Sequence, residues 1–415
     1  MLDIKLIRSE PDVVRAALAR RGADGLVDAV LVLDERRREL LPALESIQAE
    51  QNASSKEIGG AKQRGDDATA AIAAMADVAA RGRVLSDELN DVEADLNAAL
   101  AELPNIPSDD APLEDTVLRE VGEVGRSGRD HLELAGSMID METAARVSGS
   151  RFAYLKGDLV MLELALVRFA LETLRGHGFE PVIPPVLVRE QALYGTGFLP
   201  DTEQQIYKVS EDDLYLVGTA EVPLASLHAG EVIDGADLPL RYAGFSPCFR
   251  REAGAAGRDT RGILRVHQFD KVEMFCFVAP EAAAEEHERL LSIEEEILSA
   301  LEIPYRVVAI AVGDLGSSAA KKYDCEAWLP GQERFRELTS CSNTTDFQAR
   351  RLDIRYRPES EKRLRHVHTL NGTAVAVGRT IIALLENGQR DDGSVVLPAP
   401  LVAVGAPAEL PPAES

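Results

Sequence analysis

The chain has 415 residues and a formal net charge of -25, and 45% of its residues are hydrophobic. This length predicts a large domain with a smaller one, and the composition is typical of a soluble globular protein. No apolar run reaches the roughly 18 residues of a membrane span, and the first residues lack the layout of a secretory signal, so we expect a cytoplasmic protein with no membrane partner. The acidic balance alone argues against nucleic acid as a partner, because binding to phosphates relies on lysine and arginine.

Two long helices are predicted in the first hundred residues, after a short capped helix within residues 1–25. A seam of residues spaced alternately four and three apart is typical of a coiled coil. Gly59, Gly60 and Gly65 should end the first helix, so the pair forms an antiparallel hairpin over about 26–100. By itself, such a hairpin is most simply a dimerisation or scaffold coiled coil. The seam positions are Leu26, Val30, Leu33, Arg37, Leu40, Leu44, Ile47, Gln51, Ser54 and Ile58, then Leu85, Leu89, Val92, Leu96 and Ala99.

Two residues disturb this hairpin. Pro42 lies inside the first helix and should kink it. Gly82 should weaken the second helix by about 1 kcal/mol relative to alanine.

The proline-rich segment 104–112 predicts a linker between an N-terminal domain of residues 1–103 and a second domain of residues 113–405. The Pro/Ala-rich residues 406–415 are predicted to form a loose tail. The four cysteines show no close pairing of the kind that holds a metal, so we expect free thiols in a reducing compartment and no zinc site. They are Cys248, Cys276, Cys325 and Cys341.

The second domain mixes helices and strands. An apolar helix over 152–175 leads into an extended, proline-bearing segment 179–185, which alone would indicate an edge strand. Residues 214–217 form a strand that runs into Thr219-Ala220-Glu221. Residues 280–301 are predicted as an amphipathic helix, whose Glu294-Glu295-Glu296 should be a solvated face. Strands over 303–312 and 335–343 precede a strand-to-helix segment at 369–386.

The hairpin from Phe249 to Glu273 concentrates positive charge in an acidic chain, which indicates a site for a polyanion. Its flanks have the aromatic and β-branched residues of strands, with glycines between them. Arg250 and Glu252 lie two apart, so on a strand both side chains would point to one face. Its arginines are Arg250, Arg251, Arg258, Arg261 and Arg265. No P-loop pattern is present, so a nucleotide must be held in another way.

This hairpin closely resembles motif 2 of class II aminoacyl-tRNA synthetases, in the form found in bacterial-type seryl-tRNA synthetases. Residues 179–185, with Pro185, resemble motif 1, which forms the family's dimer interface. Residues 369–386, with Arg379, resemble motif 3. The resemblance implies an α+β fold: an N-terminal antiparallel helical hairpin and a class II catalytic domain with a mainly antiparallel β-sheet flanked by helices.

The resemblance also implies roles for individual residues. Arg250 and Arg379 would be catalytic, Arg250 clamping the serine carboxylate and the α-phosphate of ATP while Arg379 neutralises the far phosphates. The serine pocket would comprise Thr219, Ala220, Glu221, Arg250, Glu273 and Thr373. The ATP site would comprise Arg250, Arg251, Glu252, Val266, Phe269, Glu337, Leu338, Thr339, Ser340 and Arg379, and Glu337 and Ser340 would ligate Mg²⁺. A plainer interpretation of Glu273 is an ion pair with Lys271.

The implied activity is formation of seryl-adenylate from L-serine and ATP, followed by transfer of serine to the 3′ end of tRNA(Ser), with tRNA(Sec) as a further candidate. A homodimer is implied. The helical hairpin would hold the long variable arm of the tRNA and a loop of motif 2 would guide the acceptor end. Candidate RNA contacts are Arg36, Arg38, Lys56, Lys62, Arg64, Arg258 and Arg261, while Arg37 lies on the seam and is the weakest candidate.

Two other functions compete with this one. A ligase that charges a carrier protein would lack the long hairpin. A catalytically silent paralogue that binds RNA or protein would be expected to have lost Arg250, Glu337 or Arg379, and all three are present.

Overall fold

The computed structural model describes residues 1–200, 205–253, 261–359 and 361–413. The chain forms two compact units, one of residues Leu2–Pro104 and one of Met1 with Asn105–Ser415. None of the helices within the described residues is long and apolar enough to cross a membrane.

The first unit is helical. Two short helices, α1 (Ile4–Ser9) and α2 (Pro11–Ala19), precede the long pair α3 (Leu26–Arg64) and α4 (Thr69–Glu102). Every predicted seam residue is buried or half-buried, so the predicted coiled-coil hairpin is confirmed. The first helix was expected to break at Gly59-Gly60, and this is wrong: α3 continues to Arg64 and ends at Gly65, whose φ of 78° is left-handed. A glycine inside a helix costs only about 1 kcal/mol, whereas a left-handed C-cap is a position that glycine suits best.

Pro42 and Gly82, the two residues that were expected to disturb the hairpin, lie in different environments. Pro42 lies within α3, which continues through it, and its side chain is exposed. Gly82 is buried at the contact between α3 and α4, where a Cβ would lie 3.1 Å from Ile47 Cγ2 and 2.9 Å from Gln51 Nε2. Glycine at 82 therefore lets the two helices approach closely.

The second unit is built on an eight-stranded sheet in the order β1-β11-β12-β13-β16-β10-β9-β4. All neighbours pair antiparallel except β4 and β9, so the predicted α+β fold with a mainly antiparallel sheet is confirmed. The strands are β1 (Thr116–Val121), β2 (Ile139–Asp140), β3 (Tyr154–Leu155), β4 (Glu180–Val182), β5 (Leu187–Val188), β6 (Lys208–Val209), β7 (Leu214–Leu216), β8 (Val232–Asp234), β9 (Leu240–Phe249), β10 (Gln268–Val278), β11 (Tyr305–Ala309), β12 (Lys321–Leu329), β13 (Arg334–Thr345), β14 (Arg355–Arg357), β15 (Arg365–His366), β16 (His368–Ala376), β17 (Val395–Val396) and β18 (Glu409–Leu410).

Helices cover the sheet. They are α5 (His131–Ala135), α6 (Met141–Ser148), α7 (Asp158–Gly176), α8 (Glu190–Thr196), α9 (Glu221–Ala225), α10 (Ala283–Ala300), α11 (Phe347–Arg351), α12 (Val377–Gly388) and α13 (Ala399–Ala403). The predicted helix 152–175 thus begins only at Asp158.

The alternation of β10 sends its side chains to two different layers. Val272 and Met274 join the main core with residues of α7, α10 and α12. Phe275 and Phe277 join a second cluster with residues of α9 and α11. Since Lys271 and Glu273 lie four and two residues before Phe275, they share its face, and this polar end of the strand is where a site can form.

Three sequence expectations need correction. Glu294 was predicted to be solvated, but it is fully buried, because it falls four residues after Leu290 and three before Ile297 on the apolar stripe of α10. Residues 406–410 were predicted as part of a loose tail, but β18 pairs with β17 and Leu410 is buried in the core. The single short helix predicted within residues 1–25 is instead two helices, α1 and α2.

The predicted linker 104–112 contains no helix, and from Asn105 onward it belongs to the second unit. The Asn105 side chain is buried and donates from Nδ2 to the carbonyls of Ser318 and Thr344, at 2.9 Å each.

Candidate active site

Arg250 lies one residue beyond β9 and is held in place on two sides. Its Nε donates to the carbonyl of Gly218 at 3.2 Å, and its guanidinium lies 5.3 Å from the centroid of the Phe269 ring. The strand pair continues just past β9, since Arg250 N donates to His267 O at 2.9 Å. The arginine is therefore fixed between strand β10 and the segment that contains Thr219.

Glu252 does not follow the strand alternation that was predicted for it. Strand β9 ends at Phe249, and Glu252 has a left-handed φ of 50°. Its carboxylate pairs with Arg265 Nε at 3.1 Å across the hairpin. The strand argument for a shared face with Arg250 is therefore wrong, because the chain turns immediately after Arg250.

A bulge in β13 brings Glu337 and Ser340 to one face. Residues three apart on a regular strand point to opposite faces, but here Cys325 pairs with Thr339 and Glu326 with Glu337, so one extra residue, Leu338, is inserted. The side chains of Leu338 and Thr339 turn away: Leu338 joins the main core and Thr339 Oγ1 donates to Glu294 at 2.8 Å. Of these four predicted ATP residues, only Glu337 and Ser340 can thus offer side chains to a ligand.

Arg379 and Glu337 contact each other directly. Arg379, the third residue of α12, donates from Nη1 to Glu337 O at 2.8 Å and lies 3.5 Å from its carboxylate. Burial raises the pKa of Glu337, but Lys322, then Arg379 and Arg250, outweigh it and leave the pKa below its ordinary value. The side chain of Glu337 remains 42% exposed. Glu337 is therefore an ionised, accessible carboxylate among three cations.

Lys322 and Asp324 also lie near Glu337, although no sequence argument singled them out. Lys322 Nζ lies 2.8 Å from Asp324 and 4.0 Å from Glu337. Burial first, then Glu337, raises the pKa of Asp324 to about 7. Within the described ranges, no group of three or more His, Cys, Asp or Glu residues is placed to hold a metal ion.

The predicted serine residues form a buried polar cluster. Glu273 is paired with Thr373 across β10 and β16, and Thr373 Oγ1 lies 3.4 Å from Glu273 Oε2. Lys271 Nζ lies 2.5 Å from the same oxygen and donates to Thr219 Oγ1 at 2.8 Å. The plainer interpretation of Glu273 as the partner of Lys271 is therefore correct, and it leaves the second carboxylate oxygen for a ligand.

Glu221 begins α9 on the other side of this cluster. Gln348 donates to its Oε1 at 2.8 Å, and burial, followed by the charge of Glu273, raises its pKa to about 7. Ala220 is fully buried against Gly244 of β9, where a Cβ would lie 3.1 Å from that of Ala220 and 2.7 Å from Leu224 Cδ1. Gly244 thus allows the Thr219–Glu221 segment to pack closely against β9, the strand next to Glu273.

Three further residues of the predicted ATP site are Arg251, Val266 and Phe269. Arg251 has an exposed side chain, and its backbone N donates to Gln205 O at 2.8 Å. Val266 is buried in the main core and lines a 440 Å³ cavity together with Phe269 and Gly378. Among the residues that line this cavity, Arg250, Glu273, Glu337 and Arg379 do not occur.

The candidate RNA contacts differ in their pairing. Arg36 is held by Glu88 and Glu39, Arg37 by Glu93 at 2.8 Å, and Arg64 by Asp66 at 2.9 Å. Arg38 lies 3.9 Å from Asp34. Within the described part of the chain, the exposed Lys56 and Lys62 form no ion pair. Arg261 pairs with Asp130 at 2.7 Å, and Arg258 lies outside the described residues.

Comparison with known proteins identifies the family. The model of the seryl-tRNA synthetase N-terminal domain matches residues 1–107, and that of the tRNA synthetase class II core domain (G, H, P, S and T) matches residues 206–388. The serine–tRNA ligase of Acidothermus cellulolyticus is 51% identical over 411 residues, 97% of each chain, and that of Nocardia farcinica is 49% identical over 424 residues, 100% of each chain.

Solved structures agree with this result. The crystal structure of seryl-tRNA synthetase from Pyrococcus horikoshii complexed with ATP matches with a TM-score of 0.92 and 43% identity, covering 100% of each chain. The cytoplasmic serine–tRNA ligase of Naegleria fowleri in complex with AMP matches with a TM-score of 0.85 and 32% identity over 99% of each chain. The chain therefore belongs to the bacterial-type seryl-tRNA synthetases of class II.

Proposed function

We propose that the chain is a serine–tRNA ligase, which activates L-serine with ATP and transfers the seryl group to the 3′ end of tRNA(Ser). The single observation that supports this most directly is the position of Arg250. Burial raises the pKa of Glu273, and Lys271 and then Arg250 oppose the rise; Arg250 also lowers the pKa of Glu337. One guanidinium thus acts on both the serine side and the phosphate side of a single site.

The first step is attack of the serine carboxylate on the α-phosphorus of ATP, with pyrophosphate leaving. Its barrier comes mainly from repulsion between anions and from charge that develops on the phosphoryl oxygens, so fixed cations lower it with little need for a general base. Arg250 has the planar, two-pronged donor geometry that suits a carboxylate and a phosphate. Arg379, at the start of α12, would meet the far phosphates.

Glu337 and Ser340 fit a Mg²⁺ ion that accompanies ATP. Both offer oxygen, the ligand that this hard cation prefers, and Mg²⁺ usually completes its shell with substrate phosphates and water. When bound, the ion would neutralise phosphate charge. Lys322, 4.0 Å from the Glu337 carboxylate, then competes with the ion for this ligand.

For serine, the cluster around Glu273 supports recognition of a hydroxyl. Its Oε2 is engaged by Lys271 and Thr373, so Oε1 is left to accept from the serine hydroxyl. Alanine would leave that buried carboxylate unpaired, a penalty of roughly 10⁴-fold. Glu221, buried and partly ionised near neutral pH, would receive the amino group.

ATP–pyrophosphate exchange tests this proposal across all twenty amino acids. We expect exchange with serine alone. Exchange with alanine or glycine in preference to serine would contradict the serine assignment, and no exchange with any amino acid would contradict activation altogether. Charging assays with tRNA(Ser) and tRNA(Sec) then identify the acceptor, and we expect the protein to carry out this reaction in the cytoplasm.

We also propose that the second unit pairs with another copy of this chain. Helix α7 exposes Val160, Met161 and Leu164, and the nearby Ile183 is 84% exposed. Such adjacent apolar side chains favour a protein interface. Sedimentation should give a dimer, and Met161→Glu with Leu164→Glu should give a monomer. A native protein that sediments as a monomer at micromolar concentration would contradict this.

A further inference from the structure

Lys271 is a buried cation within the serine pocket, and no effect on the choice of substrate has yet been assigned to it. It lies on β10, two residues before Glu273, and its side chain is 7% exposed. A buried ammonium is stable only when it is paired and hydrogen-bonded. Its partners are Glu273 and Thr219, which lie on two separate parts of the chain and which are both candidate serine ligands.

The contact with Lys271 limits the hydrogen bonds that the Thr219 hydroxyl can form with a ligand. Its Oγ1 accepts from Lys271 Nζ at 2.8 Å and from the backbone N of Glu221 at 3.2 Å. A hydroxyl has two acceptor lone pairs and one hydrogen to donate. Both lone pairs are filled, because neither a lysine ammonium nor a backbone amide can accept. Thr219 can therefore only donate to a ligand.

The same ammonium keeps Glu273 an acceptor. The groups whose charges act on Glu273 are Lys271 on its own strand, Arg250 beyond β9, Glu221 on α9 and Glu294 on α10. Burial raises the pKa of Glu273 and Lys271 is the largest opposing influence. Without Lys271, the pKa of the Glu273 carboxyl would lie higher still.

We infer that Lys271 is a positioning residue that sets serine specificity: by bridging Thr219 Oγ1 and Glu273 Oε2 it makes Thr219 a donor for the substrate carboxylate and keeps Glu273 an acceptor for the substrate hydroxyl. The substrate ammonium is then left to Glu221. This inference rests on the proposed function. Thr219 thus turns its hydrogen toward an anionic group and not toward the amino group.

The test compares Lys271→Met with the native enzyme in ATP–pyrophosphate exchange, with serine and with alanine, from pH 6 to 9. The native kcat/KM for serine should rise with pH through the pKa of Glu221, which is about 7. In Lys271→Met we expect kcat/KM for serine at pH 7 to fall about hundredfold and the serine-to-alanine ratio about tenfold, since a Glu273 carboxyl with a higher pKa depends less on the substrate hydroxyl as its donor.

The pH profile separates this role from a structural one. Lys271 lowers the pKa of both Glu273 and Glu221, so its removal should move the rising limb about one unit higher and activity should recover toward pH 9. A loss of equal size at every pH would overturn the inference. Lys321→Met is the matched control: Lys321, on β12, pairs with Asp110 at 2.6 Å and should keep native exchange.

Thr219→Val tests the contact between Lys271 and Thr219. If Lys271→Met does not fold, this variant alone tests the inference. It removes the hydroxyl but keeps both charges, so the serine KM should rise about tenfold with the rising limb unmoved. A KM within twofold of native would overturn the inference. If the native enzyme gives no serine-dependent exchange, the proposed function fails; if it does and both variants behave as native, only this inference fails.

Discussion

The helical hairpin and the catalytic sheet use arginine in opposite ways. In the hairpin, Arg36 and Arg37 pair with Glu88 and Glu93 of the facing helix at the surface, where such pairs contribute little to stability. In the sheet, Arg250 contacts a carbonyl and an aromatic face and has no ion-pair partner among the described residues. Arg250 is fixed but not neutralised and is ready for an anionic ligand, whereas Arg36 and Arg37 must first lose a carboxylate partner.

The largest effect on activity is expected from removing Arg250, the unpaired arginine. We expect Arg250→Ala to lower exchange about thousandfold, since a fixed donor at developing charge contributes roughly 3–4 kcal/mol to the transition state. Circular dichroism and the unfolding temperature should remain native. Arg365→Ala is the control, because Arg365 pairs with Glu281 away from the site. Near-normal exchange in Arg250→Ala would assign the α-phosphate to another residue.

The second prediction separates the two units. Replacing residues 27–100 with a short linker should leave serine-dependent exchange within about twofold, because the serine and ATP residues all belong to the second unit. Charging of tRNA(Ser) should fall at least about hundredfold, since several phosphate contacts are lost at once. Both reactions are measured on one preparation, so exchange is the control for folding. Charging that persists would leave the hairpin a purely structural element.

The sequence predicts the hairpin well because its signal is local. Seam residues repeat every three or four positions, so their burial follows from the period of the helix alone. Glu294 shows where a local signal was available but overlooked: three consecutive glutamates suggested a solvated face, although Leu290 and Ile297 place the first of them on the apolar stripe.

The candidate site is predicted less completely because its supporting contacts are distant in sequence. Motif 2 and motif 3 indicated Arg250 and Arg379, but the partners of Thr219 and Glu221, Lys271 and Gln348, lie 52 and 127 residues away. The bulge at Leu338, which places Glu337 and Ser340 on one face, depends on the pairing of β12 with β13. No period in the sequence encodes either feature.

The third prediction compares the paired arginines of the hairpin with its unpaired lysines. If paired arginines are structural, RNA binding should depend on Lys56 and Lys62, which are exposed and form no ion pair within the described residues. Lys56→Glu with Lys62→Glu should raise the KM for tRNA(Ser) about tenfold and make binding less sensitive to salt, because fewer counterions are released. Exchange should stay native.

Arg36→Gln is the matched variant for this test. Arg36 donates to Glu39 at 2.9 Å as well as to Glu88, but both pairs lie at the surface, so its loss should change the stability of the hairpin little and leave the KM for tRNA within about twofold. A larger effect from Arg36→Gln than from the double lysine variant would show that tRNA phosphates displace the carboxylates. The ion pairs of the hairpin would then be exchangeable, and the contrast with the fixed, unpaired Arg250 would no longer distinguish structural from functional arginines.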